Sequence, residues 1–162
     1  MRSSPSYGSL ILIILILSAC GIAVQSGDIK AVDLPEEEQP ELSTYMISLQ
    51  RFSQKLGYSI AERNTMLSLF YVEELEETVE DLIKEVPEHH GAPIAPVAQS
   101  IMVSRIDHLE KTIATENWPA VDAGYTKVID GCNSCHQATQ HEFIKILPAD
   151  TSRQPYNQDF RP

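Results

Sequence analysis

From Glu41 onward, apolar residues recur at intervals of three and four, the spacing of a helix with one buried face. Leu42, Tyr45, Leu49, Phe52 and Leu56 follow this rule. Met46, four after Leu42 and three before Leu49, shares their face. A first helix is predicted from about Glu41, with Gly57 ending it or permitting a close approach. A second helix is predicted from about Ser59 to Val86. Its stripe is Met66, Phe70, Leu75, Val79, Leu82 and Val86, and its wet face is mostly Glu73, Glu74, Glu76, Glu77, Glu80 and Asp81. That acidic run reads as solvated surface, because it lacks the Gly-containing oxygen loop of a calcium site. Pro87 and the Pro- and Gly-bearing stretch after it break the helix. A third helix is predicted over Val97 to Thr115. Ile101, Met102, Arg105, Leu109 and Ile113 make a partial stripe that Ile106 does not fit. Trp118-Pro119 opens a fourth, with Pro119 in the first turn, where no amide donor is required. Its stripe is Val121, Tyr125, Val128, Cys132, Cys135, Thr139, Phe143 and Ile146. Period-two alternation is scarce and no βαβ unit is visible, so the expected fold is all-α, a four-helix bundle.

The front of the chain has a different texture. Residues 10–17 read LILIILIL, followed by Ser18-Ala19-Cys20. The run is shorter than the roughly 20 apolar residues of a membrane span. It fits the core of a secretory signal peptide. Leu17-Ser18-Ala19-Cys20 resembles the lipobox of bacterial lipoproteins, which implies cleavage before Cys20 and lipidation of its thiol. Gly21 follows where Asp would favour retention at the inner membrane, so an outer-membrane, periplasm-facing location is favoured. Residues 1–19 are then the signal. Residues 20–40, with two internal prolines and an acidic run, form a tether. Residues 41–147 form the domain and 148–162 a tail.

Removing residues 1–19 leaves 143 residues, one domain by length. With Arg2 gone, 11 Lys and Arg remain against 23 Asp and Glu, a net charge of −12. A nucleic-acid partner is disfavoured, since phosphate binding wants a basic face. An acidic surface permits steering toward a basic protein partner.

Charge therefore leaves the chemistry to the cysteines. Of three, Cys20 is assigned to lipid, leaving Cys132-Asn133-Ser134-Cys135-His136. A zinc site lacks further ligands, and a thioredoxin-like dithiol lacks its strand–helix context. On a helix, Cys132, Cys135 and His136 share one sector. Two thiols there suit thioether links to the two vinyl groups of one haem, with His136 offering its imidazole to the iron. A bundle built round a haem is expected to lose stability without it.

The late position of the motif resembles the cytochrome c′ group, four-helix bundles with haem on the last helix. A nearer resemblance is to a branch of helical monohaem cytochromes. It is carried by Met46, Gln50, Lys55-Leu56, Asn64, Tyr71 and the following Glu-rich run. It continues in Phe143-Ile144 after the motif and in an Asn157-Gln158-x-Phe160 ending. The likeness spans about residues 42–160. That branch has a Trp shortly after the Lys-Leu pair, where this chain has Gly57-Tyr58. The resemblance implies one covalent haem c on Cys132 and Cys135, with His136 as proximal ligand. It also implies a sixth iron position that is open, held by a second His, or held by Met46.

Met46 as ligand and Met46 as core filler both remain open, and Met66 and Met102 are poorer candidates. Arg105 and Lys127 are candidates to meet haem propionates, Gln50 to touch the distal side, and Tyr125 and Phe143 to wall the haem. His89, His90 and His108 read as surface. His141, five after His136, is expected to point elsewhere than the iron, with a place at the haem edge as the alternative. Pro148 and Pro155 stop the last helix, and Tyr156 and Phe160 are expected to dock back, with the tail covering a haem edge. The function expected is single-electron transfer outside the cytoplasm. Its partners would be redox proteins with basic docking surfaces, with the membrane reached through Cys20 lipid; a homodimer stays open. The alternative is a gas-binding haem protein for nitric oxide or carbon monoxide. No distal acid/base pair is identifiable, so catalysis is not expected.

Overall fold

A computed structural model describes residues 41–153, 155–156 and 158–162. The predicted signal, Cys20, the tether and Asn157 lie outside the described residues. Five helices follow in order: α1 (Leu42–Ala61), α2 (Thr65–Glu85), α3 (Ile94–Ile101), α4 (Val103–Ile113) and α5 (Trp118–Ala138). The third arm of the bundle is α3 and α4 together, so the architecture is an all-α four-helix bundle. No helix among the described residues is long and apolar enough to cross a membrane.

The α1 stripe agrees with the pattern: Tyr45 and Leu56 are buried, and Leu42, Met46, Leu49 and Phe52 are half-buried. Gly57 does not end α1. The helix runs on through Ser59, Ile60 and Ala61, so these three belong to α1 and not to α2. The turn is made by Arg63 at a φ of 57°. Asn64 then caps α2, its side-chain oxygen accepting from the Leu67 amide at 3.1 Å. Ser59 and Ser68 are fully buried and bonded to each other at 3.0 Å, which lets α1 and α2 approach closely.

The predicted stripe of α2 needs correction at its start. Met66 is 78% exposed and Phe70 49% exposed. The inward face is Ser68, Tyr71, Val72, Leu75, Val79 and Leu82. Phe70 and Leu75 are five apart, too many for one face, and the bundle takes Tyr71 and Val72 instead.

The third arm starts earlier than predicted, at Ile94, and breaks at Met102. Arg105 bonds on both sides of this break. Its guanidinium donates to the Ile101 carbonyl, while its amide turns to the Met102 carbonyl at 3.0 Å. The buried face nevertheless runs on across the break through Ala98, Met102, Ile106, Leu109 and Ile113, at intervals of four, four, three and four, so Ile106, which did not fit the predicted stripe, is fully buried. Full burial of an aliphatic side chain contributes about 1.5–3 kcal/mol.

Asn117 caps α5, and Pro119 lies in its first turn. The helix stops at Ala138, short of the predicted stripe. Gln140, at a φ of 62°, turns the chain back, so Phe143 leaves the interior and is 77% exposed. The described tail docks, as expected. Phe160 is 4% exposed against Tyr58, with ring centroids 5.3 Å apart. Gln158 accepts from Tyr71 and Lys55 at 2.8 and 3.0 Å, and Tyr156 donates to Gln54 at 3.0 Å.

Candidate functional site

A cavity of about 350 Å³ opens between the start of α1, the C-terminal end of α5, the third arm and the segment after α5. Its walls are mostly aliphatic: Leu42, Leu49, Val79, Leu82, Ile94 and Ala98. Exposed Ile47, Gln50, Ile144 and Lys145 also line it and mark its rim.

Cys132, Cys135 and His136 all line this cavity, as do Met46 and Gln50 from α1. Residues far apart in the chain are thereby brought together, as their shared faces predict. Cys132 and Cys135 are free and half-buried. Burial, and secondarily the neighbouring Cys135, pushes the Cys132 thiol up to about 11, and burial raises Cys135 too. Both sit in the last two turns of α5, where the negative end of the helix dipole disfavours a thiolate. Redox-active dithiols are tuned the opposite way. Among the described residues, no three His, Cys, Asp or Glu side chains cluster closely enough to hold a metal ion, so a zinc site built from protein ligands does not fit.

The His136 ring is oriented by its Nδ1, 3.0 Å from the Ile144 carbonyl oxygen. A carbonyl only accepts, so Nδ1 is the donor here, and Nε2 is the ring nitrogen left to face a metal. His141 is corrected in part. Because the chain reverses at Gln140, it returns to the cavity wall, with Nδ1 held 2.7 Å from the Thr139 carbonyl.

Met102, the buried residue at the helix break, also lines the cavity. Its sulfur packs on Gly131, where an added β-carbon would fall 2.8 Å from it. Met66 is on the outer face. Of the predicted propionate cations, neither Arg105 nor Lys127 lines the cavity; the Arg105 guanidinium serves the Ile101 carbonyl instead. Lys145 is the Lys or Arg that does. Tyr125 belongs to the core, donating to the Ser53 carbonyl at 3.0 Å and accepting from the Ala149 amide at 3.2 Å. Phe143 is not on the wall. His89 and His90 meet edge to face in the α2–α3 loop, with ring centroids 4.1 Å apart, and His108 is exposed on α4. The described tail residues from 151 to 162 lie on the α1–α2 end and do not line the cavity.

Sequence reasoning missed Asn133, the Ile144 carbonyl and Lys145. Asn133 was in view as a spacer in the motif, but its role depends on the reversal at Gln140, a non-glycine residue in a left-handed conformation.

No protein-family model, curated protein or solved structure matches the chain.

Proposed function

We propose that this chain is a monohaem c-type cytochrome of the cytochrome c′-like kind, carrying single electrons outside the cytoplasm. The observation that supports it is one aliphatic cavity whose wall holds two protonated thiols and an imidazole with Nε2 free. The residues fit the group. Cys132 and Cys135 would hold the group by thioether links, each S–H adding across one vinyl double bond with sulfur bonding to carbon and hydrogen passing to the terminal vinyl carbon, so no oxidant would be required. His136 would hold the iron through its imidazole. A porphyrin supplies four donors, so a protein site of one imidazole and one further side chain suffices, and the lack of a protein metal cluster is no obstacle.

When bound, haem iron supplies a one-electron couple whose potential depends on its axial ligands and surroundings. Met46 is the proposed sixth ligand: it lies on the cavity wall and is half-buried, whereas the Met102 sulfur is already packed on Gly131. The aliphatic wall excludes water, and the exposed rim provides an edge for electron exchange. Cys20 is the proposed lipid site. The net charge of −12 on residues 20–162 suits redox partners with basic docking surfaces.

The test is an absorption spectrum of the exported protein with Cys132→Ser plus Cys135→Ser as control. The expected result is covalent haem in the parent and none in the double variant. Covalent haem surviving in the double variant, or absent from the parent, overturns the proposal.

A further inference from the structure

His141, Ile144, Lys145 and Ile146 form one wall of the cavity without belonging to any helix. What holds them is the motif itself. The Asn133 side-chain amide donates to the Ile146 carbonyl at 2.9 Å, and its oxygen accepts from the Ile146 amide at 2.8 Å. The same NH₂ reaches the Ile129 carbonyl at 3.2 Å, which anchors the side chain to its own helix. Two residues earlier on the returning segment, the Ile144 carbonyl receives the Nδ1 proton of His136.

The geometry is registered at both ends. Asn133 and His136 are three apart on α5, hence neighbours on its surface. Ile144 and Ile146 are two apart on the non-helical segment, and both face α5 through their backbone groups. A primary amide presents a donor and an acceptor side by side, as a peptide group does, so Asn133 pairs with Ile146 as a strand would. Leucine offers neither group, an ionised aspartate only accepts, and the single serine hydroxyl does not set the two groups side by side.

We propose that Asn133 is a positioning residue for the iron-binding imidazole. By clasping Ile146 it holds the Ile144 carbonyl where it fixes the tautomer and ring plane of His136. The proposal rests on the haem reading above. A hydrogen bond to the outer nitrogen of a ligating histidine raises ligand basicity and fixes ring orientation. Losing it therefore moves the reduction potential upward and lets the ring turn.

The experiment compares the full chain with Asn133→Leu and Asn133→Gln by three readouts: exchange of the Ile146 amide, the ferric haem-methyl NMR shifts, which follow the imidazole plane, and the reduction potential. In Asn133→Leu, Ile146 exchange should accelerate roughly five-fold, the loss of about one net hydrogen bond. The methyl shifts should be redistributed and the potential should rise, with covalent haem retained. Asn133→Gln, which keeps both groups on a longer arm, should recover part of each change. Faster Ile146 exchange with parental methyl shifts and potential overturns the proposal, as does an unprotected Ile146 amide in the parent. If the parent carries no haem, the haem reading has failed. The nitrogen shifts of His136 in the haem-free chain then decide this point: an Nδ1-protonated tautomer lost in Asn133→Leu supports the clasp, and an unchanged tautomer overturns it.

Discussion

Gly57 lies against Tyr125 so closely that a β-carbon on it would fall 2.8 Å from the phenol Cζ, and 2.7 Å from Ala149 Cβ. The phenol cannot retreat freely, because it bonds the Ser53 carbonyl and the Ala149 amide. Glycine here is a packing requirement in mid-helix. Gly57→Ala should destabilise the domain by about 1–3 kcal/mol, the usual range for overpacking, despite alanine's better helix propensity. Chemical denaturation checks this, and a stabilised variant would contradict it.

The same Tyr125 sets an alkaline limit. Burial pushes its phenol from 10.0 up to about 12. The folded state holds that proton more tightly than the unfolded chain. Its contribution is therefore complete below pH 10 and is lost as pH rises from 10 toward 12. Tyr125→Phe should lose stability at neutral pH, through two missing hydrogen bonds, yet show a shallower decline across that window. Denaturant midpoints measured from pH 8 to 12 decide it, best with both motif cysteines absent as free thiols.

Met46→Ala should remove the thioether-to-iron charge-transfer band of the oxidised protein, lower the reduction potential and admit carbon monoxide at once. Met102→Leu should leave all three unchanged. Immediate carbon monoxide binding by the parent would eliminate Met46 as ligand.

Lys145 is the cation on the cavity rim. Replacing it by Glu should lower the reduction potential, because a negative charge favours ferric over ferrous iron. The shift should shrink between low and high salt, since exposed charges are screened. A salt-independent shift would point to a structural cause.

Asn64 both caps α2 and donates to the carbonyls of Phe160 and Arg161, at 3.1 and 2.9 Å. Asn64→Ala should cost about 1–2 kcal/mol, a cap plus exposed tail bonds. It should also release the Phe160 region to faster amide exchange, whereas Asn64→Asp should keep the cap and lose only the tail contacts.

Helices and buried faces were legible wherever one continuous period governs, as along α1 and from Leu75 to Leu82. The face was misread in the third arm. Ile106 looked misplaced because the stripe was drawn through Ile101 and Arg105, whereas the buried face runs Ala98, Met102, Ile106, Leu109 and Ile113 at ordinary helical intervals. Phe143 and Ile146 were read as a continued stripe because the reversal at Gln140 uses neither glycine nor proline. The site was legible in its chemical residues, Cys132, Cys135, His136 and Met46, which meet in one cavity. It was not legible in what orients them, since a hydrogen bond from an asparagine to a carbonyl thirteen residues on leaves no periodic trace.

The docked tail bears on the order in which the molecule can be completed. Helices α1 and α2 are adjacent in the chain and pack extensively on each other, so their pairing closes only a short loop and can form early. Phe160 and Gln158, which fill the end of that pair, come after α5 in the chain. The segment clasped by Asn133 also follows the motif. Cys132 and Cys135 precede the residues that finish the wall and the plug. On the haem reading proposed above, the two thiols would be open to attachment before those closures form, so timing as much as shape would govern access.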